Sequence, residues 1–356
     1  GKWKSRGSPP AAADASITMG ARWWPGAHVL LLGASRLVVP AVSRGIAPLT
    51  SRAIAAYEPM RKHPDLFGTW PDHWFDRAYL DAHRALVNGS EEGMRALLRE
   101  EGPGVYSFPI FSDAFCVALL EEVDGYMASG LPIRRPNSMN NYGLIINEIG
   151  MKEAVSRFQQ AHLLPVARLL FPEESSQFDE HHAFMVAYKG GQDTGLDMHT
   201  DDSDVTFNFC LGREFEGSGL TFCGMRGDPD HRHFSFTYAH EKGRAVVHSG
   251  DRRHGADDIR EGERTNLIIW NHNHAWRMSQ ALAKRRASYA PEAAPPDPLC
   301  LSYTHDRDFE LLAPPQYRAK GQDVMKKPWC PPPGKEYPGF GTVGARKGSQ
   351  GDKDEI

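Results

Sequence analysis

An α+β chain is predicted by a change of texture near residue 180. Up to Phe171 apolar residues recur at three- and four-residue spacing. Beyond residue 180, short aromatic and β-branched runs alternate with Gly- and Asp-rich turns, the rhythm of a sandwich or barrel. The 356 residues can bury a sizeable core, as one large domain with appendages or as two domains. At 40% apolar and 24% charged, the composition excludes a collagen-like, coiled-coil or wholly disordered chain. A net charge of −4 gives no support for an electrostatically driven nucleic-acid binder.

Residues 1–57 carry seven Lys/Arg and a single acid, Asp14, and read as a disordered or targeting segment. Their apolar run Val29–Val42 is interrupted by Gly33, Arg36 and Pro40, too soon for a membrane-spanning helix. The C-terminal Lys353-Asp354-Glu355-Ile356 approximates an endoplasmic-reticulum retention signal. Cytoplasm, organelle and endoplasmic reticulum all stay open. Residues 58–104 form a helical N-terminal region, with Trp70–Glu101 helical and Ser90 as an N-cap ahead of Met94, Leu97 and Leu98. A further helix starts at Ser112 or Asp113, where Phe115, Cys116, Leu119, Leu120, Val123 and Met127 recur at three- and four-residue spacing. Helical spacing returns over Lys152–Phe171, where Pro165 should kink or split it. Strands are expected at Ala183–Lys189, Val205–Leu211, Leu220–Cys223, Phe234–Tyr238, Ala245–His248 and Leu267–Trp270. Residues 276–356 read as a Pro/Gly-rich extension. The five cysteines are odd in number, far apart and without a CxxC pair. Neither a disulfide framework nor a structural zinc is expected, and Cys210 and Cys223 read as small buried hydrophobes.

Sixteen histidines are the compositional feature that needs explaining. Met198-His199-Thr200-Asp201 places a histidine and a carboxylate two residues apart, so strand alternation can aim both at one point. A second His-x-Asp, His63-Pro64-Asp65, lies in helical, Pro-flanked sequence and reads as surface decoration. His254 stands ten residues before Arg264, with a hairpin-like turn between them. Two histidines and one carboxylate on a β scaffold form a facial triad, which suits non-haem Fe(II) better than a closed zinc site. An arginine on the neighbouring strand supplies a bidentate clamp for a carboxylate. Iron and a carboxylate receptor together point to a 2-oxo acid. His248, sixteen residues before Arg264, competes for the third metal position, and the spacing favours His254. His181, His182, His231, His233, His272 and His274 read as capping or surface residues.

From Phe184-Met185-Val186-Ala187-Tyr188 through His199-Thr200-Asp201, Thr206-Phe207-Asn208, Phe215–Leu220 and His254 to Arg264, the chain resembles the 2-oxoglutarate and iron(II)-dependent oxygenases of the prolyl-hydroxylase-like branch. It is most similar there to the 2-oxoglutarate and iron-dependent oxygenase domain-containing protein 2 family, through Tyr106–Phe111, Arg135–Gly143 and Gly262–Leu267. The resemblance spans roughly 105–275, with a barrel core at about 180–275. It implies a double-stranded β-helix, a jelly-roll and cupin-like core, supported by N-terminal helices. It implies iron on His199, Asp201 and His254, and the distal carboxylate of 2-oxoglutarate on Arg264. Tyr188 is the equivalent of a tyrosine that faces this cosubstrate. By alternation Thr206, Asn208 and Cys210 share the inward face, as do Arg264, Asn266, Ile268 and Trp270, which makes Asn208 and Asn266 candidate pocket hydrogen-bonders. The implied activity consumes O2, with ascorbate as a reductant, and releases succinate and CO2. Its substrate would be peptidyl rather than nucleic acid, with Asn137–Tyr142 at the entrance or at a β edge. The alternative from another class is a non-catalytic sensor on the same fold.

Overall fold

The computed structural model describes residues 48–292, 295–302 and Asp308. Most of the basic N-terminal segment and the Lys353–Ile356 tail lie outside them. The described residues all fall in one compact unit, residues 46–356. The last ten residues of the segment expected to be disordered or targeting are helix α1 (Pro48–Tyr57). Its terminal Tyr57 is fully buried and donates a 2.6 Å hydrogen bond to Glu122. The backbone amides of Lys62 and His63 donate to the same carboxylate. That buried acid ties down the loop holding His63-Pro64-Asp65. The His63 ring meets Glu121 at 2.7 Å, so this second His-x-Asp is part of the tether.

Helix α2 (Arg77–Val87) is capped by Asp76, whose side chain accepts from the Tyr79 amide. Helix α3 (Glu92–Leu97) begins after Glu91 rather than Ser90 and has no side-chain cap. The residues that follow are not helical as expected. They form β1 (Arg99–Gly102), paired antiparallel with β2 (Val105–Pro109). Gly102-Pro103-Gly104 is the turn that decides this, with Gly104 at φ +71°. Helix α4 (Asp113–Ala128) starts where Ser112 can cap it, accepting from the Phe115 amide at 3.3 Å. After β3 (Gly143–Ile145) come α5 (Lys152–Phe158) and α6 (Leu164–Leu170), joined by a π-helical turn at Gln159–Leu163. Pro165, lacking an amide proton, sits at the start of α6, where no such proton is needed.

The barrel strands follow: β4 (Glu180–Lys189), β5 (Leu196–His199), β6 (Val205–Gly212), β7 (Phe215–Gly217), β8 (Leu220–Met225), β9 (Phe234–Tyr238), β10 (Arg244–Ser249), β11 (Arg252–Ala256) and β12 (Ile259–His272). An eight-stranded sheet runs β1-β2-β10-β6-β12-β4-β3, with β7 also on β12. The order of the four-stranded sheet is β5-β11-β8-β9, and every pairing is antiparallel. This is the jelly-roll core that was expected. In the large sheet, strand β6 is buried on both faces, so its apolar Phe207, Phe209 and Leu211 and its polar Thr206 and Asn208 alike lie away from solvent. One face (Phe207, Phe209, Leu211, Leu267, Ile269) joins a core with Trp70, Phe75, Phe115 and Phe158 of the helical layer. The other turns Phe184, Val186 and Val246 inward, where they meet Leu220 and Phe222 of the small sheet.

Two expectations are corrected here. His254 and Arg264 do not flank a hairpin. Strand β11 pairs in the small sheet and β12 in the large one, so Asp257-Asp258 carries the chain from sheet to sheet. And Cys223 is not a lone buried hydrophobe but is disulfide-bonded to Cys300. A separation of 77 residues hides the pair from any spacing argument, because only the barrel brings β8 to the stretch after helices α7 (His274–Arg277) and α8 (Gln280–Ala287). Cys210 and Cys116 are buried free thiols.

Candidate metal centre

His199 ends β5 and His254 lies mid-β11, and the two are directly opposed in the register of that pair. Asp201 is already off the strand, so it reaches the histidines by a turn rather than by alternation alone. Its amide donates to the Gly250 carbonyl at 2.9 Å. Gly250 is obligatory there, because a Cβ would stand 1.8 Å from the Ser203 carbonyl oxygen. One donor atom each from His199, Asp201 and His254 lie within 4.8 Å of one another. His199 Nε2 is 3.3 Å from Asp201 Oδ1, and His254 Nε2 is 3.8 Å from Oδ2.

The remaining atoms of these side chains are held from behind. His199 Nδ1 bonds the Asp197 carbonyl at 2.7 Å and His254 Nδ1 the Arg252 carbonyl at 2.9 Å. A carbonyl can only accept, so each Nδ1 carries the proton and each Nε2 presents a lone pair to the cluster. Thr206 donates to Asp201 Oδ2 at 2.7 Å. Burial pushes the Asp201 carboxyl up, but His254 and His199 beside it reverse this and hold it well below the usual carboxylate range. Burial pushes His254 down to about 3 against the pull of Asp201. A carboxylate held deprotonated beside two imidazoles that turn Nε2 toward it is the donor set that a divalent cation needs.

Arg264 is the largest fully buried side chain among the described residues. Its Nε and Nη1 have no hydrogen-bond partner, and among the described residues no carboxylate pairs with it. Strand β12 places it opposite Tyr188 of β4, with the guanidinium carbon 4.7 Å from that ring's centroid. Burial lowers its pKa, and burial raises the Tyr188 phenol to about 12 in spite of the nearby cation. A dry cation without a counter-ion is costly unless an anion arrives. Arg264 and Tyr188 line the same cavity as the three-donor cluster, together with Asn208, Asn266, Ile268 and Trp270. Cys210 shares the strand of Asn208 but does not line it. His248, the competitor for the third position, bonds the Ser249 carbonyl through Nδ1 and packs against the His254 ring at 4.6 Å. It stays outside the donor cluster.

Two contributors, Asn140 and His240, carried no individual role in the sequence. Asn140 donates to the Tyr188 hydroxyl at 3.2 Å, and Asn266 donates to Asn208 while lying 3.5 Å from the His240 ring. The amide-rich run Asn137–Tyr142 was the signal for Asn140. For His240 there was none. Beside His199, Met139, His182, Leu196 and Trp270 line an outer cavity of about 230 Å³. His181 and His182 lie within β4 rather than before it, bonded to Ser156 and to the Pro136 carbonyl. His231 is buried rather than on the surface, against Glu292.

The jelly-roll barrel holds a three-donor cluster and a buried arginine in one cavity, and the named proteins that the chain is similar to are 2-oxoglutarate and iron-dependent oxygenases. Within that class the chain is a relative of the 2-oxoglutarate and iron-dependent oxygenase domain-containing protein 2 family. Residues 54–176 match the OGFOD2-like domain, a stretch lying wholly before the triad. The human protein of that name is 33% identical over 232 residues, 63% of this chain and 65% of its own length. The oxygenase domain-containing protein ICU11 of Arabidopsis thaliana is 34% identical over 227 residues, 61% of this chain and 56% of its own length. The chain thus spans less than two thirds of either relative. Procollagen-lysine,2-oxoglutarate 5-dioxygenase 1 of Gallus gallus is 27% identical over 228 residues, 60% of this chain and 29% of that protein.

Proposed function

We propose that this chain is an Fe(II)- and 2-oxoglutarate-dependent dioxygenase that hydroxylates a C–H bond on a peptidyl side chain and releases succinate and CO2. The observation that carries it is Arg264, a buried guanidinium with unpartnered nitrogens in the cavity that also holds the three-donor cluster. His199, Asp201 and His254 would hold the iron, and bound iron with O2 and the 2-oxo acid supplies the oxidising power. Arg264 pairs with the distal carboxylate through its free donors. Tyr188, steadied by Asn140, and the bonded pair Asn208–Asn266 fix where that carboxylate lies. Thr206 keeps one Asp201 oxygen engaged, so the carboxylate presents its other oxygen. Phe184, Ile268 and Trp270 line the cavity and exclude water from the reacting atoms. A peptidyl substrate is supported by the procollagen-lysine relative and by the outer cavity, which shares His199 and Trp270 with the inner one.

Purified protein given Fe(II), ascorbate and O2 should convert 2-oxoglutarate slowly to succinate even without a substrate. Absence of succinate at full iron occupancy sinks the enzymatic reading and leaves the binding module. Mass spectrometry of a peptide library treated with the iron-loaded protein should then find a one-oxygen mass gain.

A further inference from the structure

Asp297–Ser302 runs against the strands that carry the two metal-facing histidines. Cys300, Leu301 and Ser302 are completely buried, and this stretch is fastened at three points. The first is the disulfide from Cys300 to Cys223 on β8, next to Phe222, which pairs with His254. The second is the Cys300 carbonyl, which accepts from Arg253 Nε at 2.7 Å while Arg253 Nη2 bonds Asp308 at 2.5 Å. At the third, the Ser302 hydroxyl donates to Asp197 Oδ2 at 2.7 Å. Asp197 and Arg252 are the residues whose carbonyls hold His199 Nδ1 and His254 Nδ1. Ser302 therefore grips one orienting residue itself, and Arg253 sits between the other and its histidine.

We propose that Asp297–Ser302 is a positioning strap, which sets the imidazole planes of His199 and His254 from behind so that metal affinity depends on Ser302, Arg253 and the Cys223–Cys300 bond. The proposal rests on reading His199, Asp201 and His254 as the metal site. The groups that orient a ligating histidine govern about 10- to 100-fold in metal affinity. Here that orientation is relayed through carbonyls whose own residues the strap holds. Arg253 and Asp308 are both almost fully buried, so their ion pair resists loosening.

The test uses the full chain, Mn(II) as a redox-quiet probe followed by calorimetry, and the visible bands of Co(II) as a report on ligand geometry. Ser302→Ala should weaken Mn(II) about tenfold and shift the Co(II) bands. Asp197→Asn, which keeps an oxygen acceptor for Ser302, should stay close to wild type. Cys223→Ser with Cys300→Ser should weaken Mn(II) at least as much as Ser302→Ala; should that double variant fail to fold, Ser302→Ala decides alone. Wild-type Mn(II) affinity and Co(II) bands in Ser302→Ala overturn the strap, even where the melting temperature drops. A wild-type protein that binds no Mn(II) overturns the metal-site reading and the strap with it, so the two failures are told apart.

Discussion

His199 and His254 each commit Nδ1 to a backbone carbonyl, and this divides the labour among neighbouring side chains. His199→Ala should abolish iron binding, whereas Arg264→Ala should keep iron and lose 2-oxoglutarate affinity by at least tenfold, both read by calorimetry. If both variants bind both ligands normally, the roles assigned to them are wrong. Gly250 offers a less obvious probe. Its carbonyl holds the Asp201 amide, and an added methyl would meet the Ser203 backbone rather than a movable side chain. Gly250→Ala should therefore displace the Asp201 turn and weaken Mn(II) binding by about tenfold or more, a loss on the scale of removing an orienting partner. Gly255→Ala, where the nearest atom lies 3.0 Å from the added carbon, should cost less.

Among the elements, what the sequence made legible follows from periodicity. Alternation along β12 puts Arg264, Asn266, Ile268 and Trp270 in one cavity, as their two-residue spacing implied, because a register slip would send all of them to the helical face. Ser112 and Pro165 were readable because capping and the missing amide proton are local effects. What connects one sheet to the other is not local. The passage from β11 to β12 looks like a hairpin in sequence, since two strands joined by a short turn pair unless other strands claim them; here β5 and β8 claim β11. The helical layer supplies a prediction of its own. His162 in the π-helical turn stacks on Phe75 and His83, and burial with the His83 charge pushes it down to about 4. His181 is likewise pushed to about 4 by burial and by Lys152. An unfolded chain takes up these protons near the ordinary imidazole value of about 6.5, while the folded chain refuses them until about 4. Stability is therefore full above pH 7 and falls as the pH drops from about 6.5 towards 4. The melting temperature should follow, and His162→Gln should flatten part of the slope. A melting temperature that does not change across this window would contradict the burial of these rings.

For the whole molecule, the resemblance covering 105–275 understates what the barrel needs. Trp70, Trp74, Phe75 and Tyr79 belong to the same core as Phe207 and Phe209 on the barrel's outer face. Burying each such side chain contributes about 1.5–3 kcal/mol, and four of them rival the roughly 5–15 kcal/mol that a whole domain retains. A fragment of residues 105–275 should lack a cooperative melt and bind a hydrophobic dye, whereas residues 48–308 should melt cooperatively. The Cys223–Cys300 bond points the same way, because it lies half outside the shorter fragment. Long-range pairings of this kind leave no trace in spacing, and so the limits of the unit were hidden where its motifs were plain. Arg264 has a last consequence at this scale. Among the described residues this buried cation has no counter-ion, so on the proposed reading a dicarboxylate that pairs with it would be linked to the folding equilibrium. At about 100 times its dissociation constant such a ligand adds about 2.7 kcal/mol to the native state. The melting temperature should then rise with added 2-oxoglutarate, even where no substrate is turned over.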